Sequence, residues 1–477
     1  MEAIANPSTT APLVAAFSRH KTTAQTLRTE PLQNRKNRLM KLRAWLHAHR
    51  QDIHTAMFDD FRKNATEVDA IEIFHVLGEL KYALQNVEQW STPKKIDAPI
   101  TLVGTRSFIQ YEPRGVCLII SPWNYPLSLC LGPLVSALAA GNAVVIKPSE
   151  MTPHVSALIR KMVEEIFEPE VVSVFEGGPE VSQTLLGLPF DHIFFTGSPA
   201  IGKVVMKAAA ENLASVTLEL GGKSPVIVTD TARIKDAARR TAFTKFLNNG
   251  QTCLAPDYVL VDEKVAPEFT RELIEQTKKL FTETGQTFET SPHYCRIVND
   301  KHFERLNGIL QDAVQRGARI EYGGAVTAAT RFVHPMILSS VPLDARVMEE
   351  EIFGPVLPVV PYANLSDALA IINSKPKALA LYVFTNHQKT QDRVLRETSS
   401  GGVCVNDCGI HFMHHDLPFG GVNNSGVGKS HGHAGFLAFS NEKAVLKQRG
   451  GFTSVSAFYP PYTPLVKKLM DWFLKLF

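Results

Sequence analysis

From Gly115 onward the chain carries short, unbroken apolar runs separated by stretches with helical spacing, a pattern few folds can accommodate. Gly115-Val-Cys-Leu-Ile-Ile120 and Asn142-Ala-Val-Val-Ile-Lys147 are two such runs, with a helical stretch at 127–140 between them, and runs at 171–175, 192–196 and 216–220 continue the alternation. A strand that is apolar on both sides must be covered on both sides, and alternation with helices gives parallel strands with the helices as cover. The expected fold is therefore α/β, with one parallel sheet over 114–220. A second α/β section begins at Gly221, with strands expected at 225–228, 258–261, 356–360, 381–385 and 401–406 and helices at 265–281 and 302–316. Residues 1–99 read as helical, since 38–49 and 69–90 carry apolar residues at three- and four-residue spacing. Two stretches, 100–113 and 439–453, fit neither sheet and read as exposed arms or β-extensions. A length of 477 residues agrees with this division, because it exceeds what one hydrophobic core serves.

Composition removes several classes of function. Lys and Arg number 50 against 47 for Asp and Glu, so there is no strong field for nucleic acid or acidic partners, and no nucleic-acid-reading motif occurs. Cys117, Cys130, Cys253, Cys295, Cys404 and Cys408 are scattered without a disulfide framework and read as reduced, intracellular thiols. Cys404 and Cys408 have no second pair at metal-ligand spacing, so zinc is not expected there. No apolar run reaches signal-peptide length near the N-terminus or the roughly 20 residues of a membrane span. The cytoplasm is the default location.

Five segments can carry chemistry, and three of them also have a plainer reading. Asn249-Gly250-Gln251-Thr252-Cys253 follows a helix-like run at 236–247 and precedes a strand. Its cysteine is either buried filler or a thiol that can act as a nucleophile. In Leu218-Glu219-Leu220-Gly221-Gly222 a carboxylate ends an apolar strand. It either reaches solvent or serves as a general base whose pKa burial has raised, with the glycines admitting a ligand close to the backbone. Asn124, between Pro122 and Pro126, is a turn former or an amide donor for an oxyanion. Thr196-Gly197-Ser198-Pro199-Ala200-Ile201-Gly202 puts a Gly-rich turn at a helix start, where free N–H groups suit a phosphate, although its glycines do not fit G-x-G-x-x-G. Lys147-Pro148-Ser149-Glu150 ends a strand with a cation and an anion placed where ribose or phosphate would lie.

In their order and spacing these segments resemble the aldehyde dehydrogenase superfamily. The resemblance rests on Pro122-Trp-Asn-Tyr-Pro126, Lys147-Pro-Ser-Glu150, Phe195-Thr-Gly-Ser198, Glu219-Leu-Gly-Gly-Lys-Ser-Pro225, Gly250-Gln-Thr-Cys253, Glu350-Glu-Ile-Phe-Gly-Pro-Val356 and Pro418-Phe-Gly-Gly421, and runs from about residue 20 to about 450. The short N-terminus, Tyr258 after Cys253, and Pro418-Phe-Gly-Gly-Val-Asn-Asn-Ser-Gly-Val-Gly428 are most similar to the class 3, fatty-aldehyde-type branch. Asn423 departs from the glycine expected there, which bears on loop conformation rather than chemistry.

The resemblance implies a fold of two parallel-sheet α/β domains plus a small β oligomerisation element. The NAD(P)-binding domain would take 1–99 and 114–220, the catalytic domain 221–408, and the arms 100–113 and 439–453. It implies Cys253 as nucleophile, Glu219 as the base that activates water, and Asn124 with the Cys253 N–H as oxyanion donors. Trp123, Lys147, Glu150, Gly197, Ser198, Gly202, Glu351 and Phe353 would hold the cofactor. NAD is favoured because a carboxylate at Glu150 accepts from ribose hydroxyls and repels a 2′-phosphate, with NADP tolerated in the branch. No metal is implied: His411, His414, His415, His431 and His433 are irregularly spaced over the bridging loop and read as loop histidines. A homodimer is implied, and an aldehyde that is medium- or long-chain aliphatic or aromatic.

Three rival readings make different demands. A binding protein on this fold would be expected to lack Cys253, Glu219 or Asn124. A CoA-acylating enzyme would not need Glu219 for water. A cysteine hydrolase would need an imidazole partner and leaves the cofactor-type motifs unexplained. The tail 465–477 places Leu465, Leu469, Trp472, Phe473 and Leu476 on one helical side and Lys467, Lys468, Asp471 and Lys475 on the other. Pro460, Pro461 and Pro464 bar an earlier helix start. Such a helix either packs on the enzyme or lies in a lipid interface.

Overall fold

In a computed structural model that describes residues 7–451 and 453–475, two α/β units face each other and a three-stranded antiparallel ribbon projects from them. The first unit is built on Val116–Ile120 and Ala143–Lys147, whose ten residues are all buried. They run parallel to each other and to Val172–Val174, His192–Gly197 and Ser215–Leu220. Burying one Val, Ile or Leu contributes about 1.5–3 kcal/mol, so these two strands alone favour the covered position strongly. The helix Ser128–Ala140 is apolar almost all round and lies between the sheet and the N-terminal helices Leu32–Ala48 and Phe74–Ser91. A π-helical turn, Val68–Ile73, precedes Phe74–Ser91 and turns Glu72 into the interior, where its Oε2 accepts from Ser128 N at 2.8 Å.

The second unit is a seven-stranded sheet with Tyr258–Asp262 in the middle, flanked by Pro225–Val228 and Val356–Tyr362. Ala378–Phe384 and Ser400–Val405 continue it on one side, and Met336–Ser339 and Arg319–Tyr322 on the other. Those last two strands lie outside the sequence expectation. Arg319–Tyr322 is mostly exposed and pairs antiparallel, so it never shows the unbroken apolar run that marked the others.

The chain does not confine the first sheet to 114–220. Gly426–Val427 returns as a sixth, antiparallel strand and puts Gly426 opposite Glu219. The arms also differ from the expected bounds. Arg106–Pro113 pairs with Ser440–Lys447 over eight residue pairs, and Lys94–Ile96 adds the third strand. Ile100–Leu102 is a 3-10 turn, and Phe439 belongs to the core, fully buried and stacked on Phe194 at 5.7 Å. Phe452 of the expected arm, and Leu476 and Phe477 of the tail, lie outside the described residues.

The tail forms the helix Pro464–Leu474, capped by the Thr463 side chain and without a buried residue. Phe473 meets Phe458 edge-on at 5.5 Å, whereas Leu465, Met470, Trp472 and Leu474 are 42–69% exposed. Among the described residues no helix is long and apolar enough to cross a membrane.

Candidate active site

The carboxyl ends of the first sheet's strands deliver one side of a cavity of ≈ 580 Å³, and the second unit closes the other. Val116–Ile120 leads into Trp123 and Asn124, His192–Gly197 into the start of the helix Pro199–Glu211, and Ser215–Leu220 carries Glu219 at its end. Such sheet ends are where parallel α/β folds bind ligands. Cys253 enters from the second unit and lines the same cavity.

Cys253 is presented by a strained turn. The helix Ile234–Phe246 ends in Leu247–Gly250, and Asn248 (φ 50°), Asn249 (φ 56°) and Gly250 (φ 72°) are all left-handed. Asparagine and glycine are the residues that enter this region most readily. A Cβ on Gly250 would stand 2.3 Å from the Gly354 carbonyl oxygen, so the turn can lean on that segment only with glycine there. Side-chain amides fix it further. Gln251 Nε2 donates to Asn248 O and Arg296 O, both at 3.0 Å, and Asn249 Nδ2 donates to Cys295 O at 2.8 Å.

Asn124 belongs to the same network. Its Nδ2 donates to Gln251 O at 3.0 Å, and its carbonyl accepts from Asn248 Nδ2 at 2.9 Å and from Lys63 Nζ at 3.3 Å. Lys63 is buried with Glu72, 3.4 Å away. A buried cation with a carboxylate and a carbonyl around it anchors the backbone at Asn124. One N–H of the amide stays available for an oxyanion, since a primary amide has two.

Glu219 is 6% exposed; its Oε1 accepts from Ser430 Oγ at 2.9 Å, while Oε2 is buried without a hydrogen-bond partner among the described residues. Burial pushes its carboxyl up to about 8, against small opposing effects from Ser430 and Lys429. Burial also pushes the Cys253 thiol up to about 12, with the nearby carboxylates of Glu351 and Glu219 adding to the rise. Glu351 is itself raised to about 8 by burial and by Asp257. Its carboxylate lies over Gly221, where a Cβ would come within 2.0 Å of Oε2, so the first glycine of the pair makes room for a side chain rather than for a ligand.

Of the eight residues expected to hold a cofactor, five line the cavity: Trp123, Gly197, Ser198, Glu351 and Phe353. Ser198 caps its helix, with Oγ accepting from Ile201 N, and the capped end opens on the cavity, a fit for a pyrophosphate. Phe353 is left-handed (φ 48°) and meets Trp123 edge-on at 5.3 Å. The other three stand outside the cavity lining. Lys147 and Glu150 form an ion pair at 2.6 Å, with Lys147 buried at the end of its strand. Gly202 faces Leu220, whose Cδ2 a Cβ would meet at 2.7 Å, so it serves helix–strand packing.

Several site residues went unseen in the sequence. Lys223 Nζ is salt-bridged to Asp257 and donates to the carbonyls of Val347 and Glu350 at 2.9 Å, and Arg305 reaches the carbonyls of Glu351 and Ile352. Together they pin the segment carrying Glu351 and Phe353. Lys223 was legible as part of Glu219-Leu-Gly-Gly-Lys-Ser-Pro225; Arg305 and Ser430 had no local mark. The histidines read as loop residues divide in two. His411 pairs with Cys404 and His414 and His433 are exposed, but His431 and His415 fold against His75 and Glu79 of a distant helix. Asn423 is left-handed (φ 55°), which accounts for glycine being expected there and for asparagine being accepted.

Residues 5–445 match the model of the Aldehyde dehydrogenase family. The 4,4'-diaponeurosporen-aldehyde dehydrogenase of Staphylococcus aureus is 42% identical over 448 residues, covering 94% of this chain and 96% of that protein. Aldehyde dehydrogenase family 3 member A2 of Pongo abelii is 40% identical over 448 residues, covering 93% and 90%. A solved structure of Staphylococcus aureus AldH in a substrate-bound state superposes with a TM-score of 0.92 at 41% identity, covering 97% of this chain and 99% of that one.

Proposed function

We propose a reaction path from one premise: this chain belongs to the aldehyde dehydrogenase family, with class 3 relatives, and oxidises aldehydes to carboxylic acids with NAD(P). Cys253 Sγ gives up its proton to solvent water as it adds to the aldehyde carbon, and the oxyanion accepts from the free N–H of Asn124 and from the Cys253 backbone. When bound, NAD(P) supplies the hydride acceptor. Loss of hydride from the adduct leaves a thioester on Cys253. Glu219 then takes a proton from water as the water attacks the thioester, and the acid departs with the thiol restored. The observation that carries this reading is that Cys253, Glu219 and Asn124, drawn from both units, line one cavity.

Glu219→Gln tests it. Deacylation should slow about 10²–10⁴-fold while hydride transfer survives, so a burst of about one NADH per subunit should precede a slow steady state. Absence of both the rate loss and the burst would move the base to Glu351.

Three finer points belong to the same reading. Phe412, Phe419 and Leu129 among the lining residues favour an apolar aldehyde, long-chain aliphatic or aromatic. Glu150 beside Lys147 favours NAD over NADP, because a 2′-phosphate would meet the carboxylate. Steady-state kinetics over a panel of aldehydes with each cofactor checks both, and a preference for short polar aldehydes or for NADP would reverse them. The unpaired edge of Ser440–Lys447 suits a homodimer, and the exposed apolar side of Pro464–Leu474 suits contact with a lipid surface.

A further inference from the structure

We propose that His75, Glu79 and His431 form a binding site for a divalent cation of the zinc type in the wall of the aldehyde cavity. One donor atom from each lies within 4.8 Å of the others. His75 and Glu79 stand four residues apart in the helix Phe74–Ser91 and so share one face, and His431 comes from the loop before Gly432–Ala438. Two imidazoles and one carboxylate suit zinc or cobalt; magnesium and calcium call for oxygen ligands.

Two further features point to an ion. Among the described residues Nδ1 of His431 is buried without a hydrogen-bond partner, and a buried polar atom left unsatisfied is uncommon unless something else occupies its lone pair. Glu79 is already oriented from behind. Its Oε1 accepts from His415 Nδ1 at 2.9 Å and its Oε2 from Gly432 N at 3.0 Å, the outer hydrogen bonds that metal-bound carboxylates make. Tetrahedral zinc with bonds of about 2.0–2.1 Å holds its donors about 3.3 Å apart, so the three side chains close by at most about 1.5 Å on binding. Ring packing of His75 on Phe412 at 4.4 Å and of His431 on Phe419 at 4.9 Å constrains the ring planes.

His75 and His431 both line the cavity that holds Cys253, so the remaining coordination position faces the path of the aldehyde. An ion there narrows that path and raises the KM for aldehyde.

Full-length protein stripped with a chelator and titrated calorimetrically with Zn²⁺ tests the site, with Co²⁺ as a spectroscopic probe of its ligands. One ion per subunit is expected. His75→Phe, which keeps the stack on Phe412, and His431→Asn should each weaken binding at least about a hundredfold, and Cys253→Ala should leave it unchanged. Binding that survives both histidine substitutions, binding lost in Cys253→Ala with a thiolate–cobalt band in the wild type, or no binding at micromolar Zn²⁺ would overturn the site. The readout is binding without turnover, so its failure leaves the reaction path untouched.

Discussion

On the proposed reaction path, Glu219 sets the pH behaviour at the level of single residues. Its carboxyl is held at about 8 by burial, and a base works only when deprotonated, so deacylation should fall about tenfold per pH unit below 8. In wild type, kcat against pH should show that limb, and Glu219→Gln should lack it. Stability moves the other way. The folded state keeps the proton up to about 8, whereas an unperturbed Glu releases it near 4.5, so stability is lost as pH rises between those values. Glu219→Gln should therefore melt higher than wild type at pH 9, with the difference vanishing towards pH 4; equal melting at pH 9 would mean that the charge is solvated. The residues legible in advance, Cys253, Glu219 and Asn124, each sit in a contiguous motif. Ser430, which donates to Glu219, and the gathering of His431 with His75 depend on segments far apart in the chain and leave no local spacing to read.

Among the elements, buried parallel strands announced themselves because both faces had to be apolar. Val116–Ile120 and Ala143–Lys147 needed no tertiary information, whereas Arg319–Tyr322 and the two-residue strand Gly426–Val427 owe their place to a neighbour's free edge. The amphipathic tail was legible as a helix but not in how it sits. Leu469 and Phe473 are half-buried, while Leu465 and Trp472 of the same expected face are exposed. Apolar side chains at an interface with lysines 467, 468 and 475 nearby should bind anionic vesicles. Sedimentation at low salt should bring down the full chain but not one truncated before residue 465. Full-length protein left in the supernatant would assign the helix to the protein's own fold.

At the scale of the whole molecule, the ribbon of Lys94–Ile96, Arg106–Pro113 and Ser440–Lys447 leaves its last strand unpaired on the outer side among the described residues, an edge that natural proteins cover or blunt. Light scattering at micromolar concentration should give about twice the 52.7 kDa chain mass, and a stable monomer would rule out the dimer. Neither the pairing of the two arms nor the seating of Cys253 opposite Glu219 was visible before the two units were folded together. The sixth strand carries a consequence for biosynthesis. Strands up to residue 220 can assemble as soon as they emerge from the ribosome, but Gly426, which pairs with Glu219, emerges about 200 residues later. At about 5–20 residues per second that interval is roughly 10–40 s. For that time a nascent chain has most of its first sheet while the strand bearing Glu219 has an open edge. This interval is where a chaperone would matter most and where a slow codon would be felt.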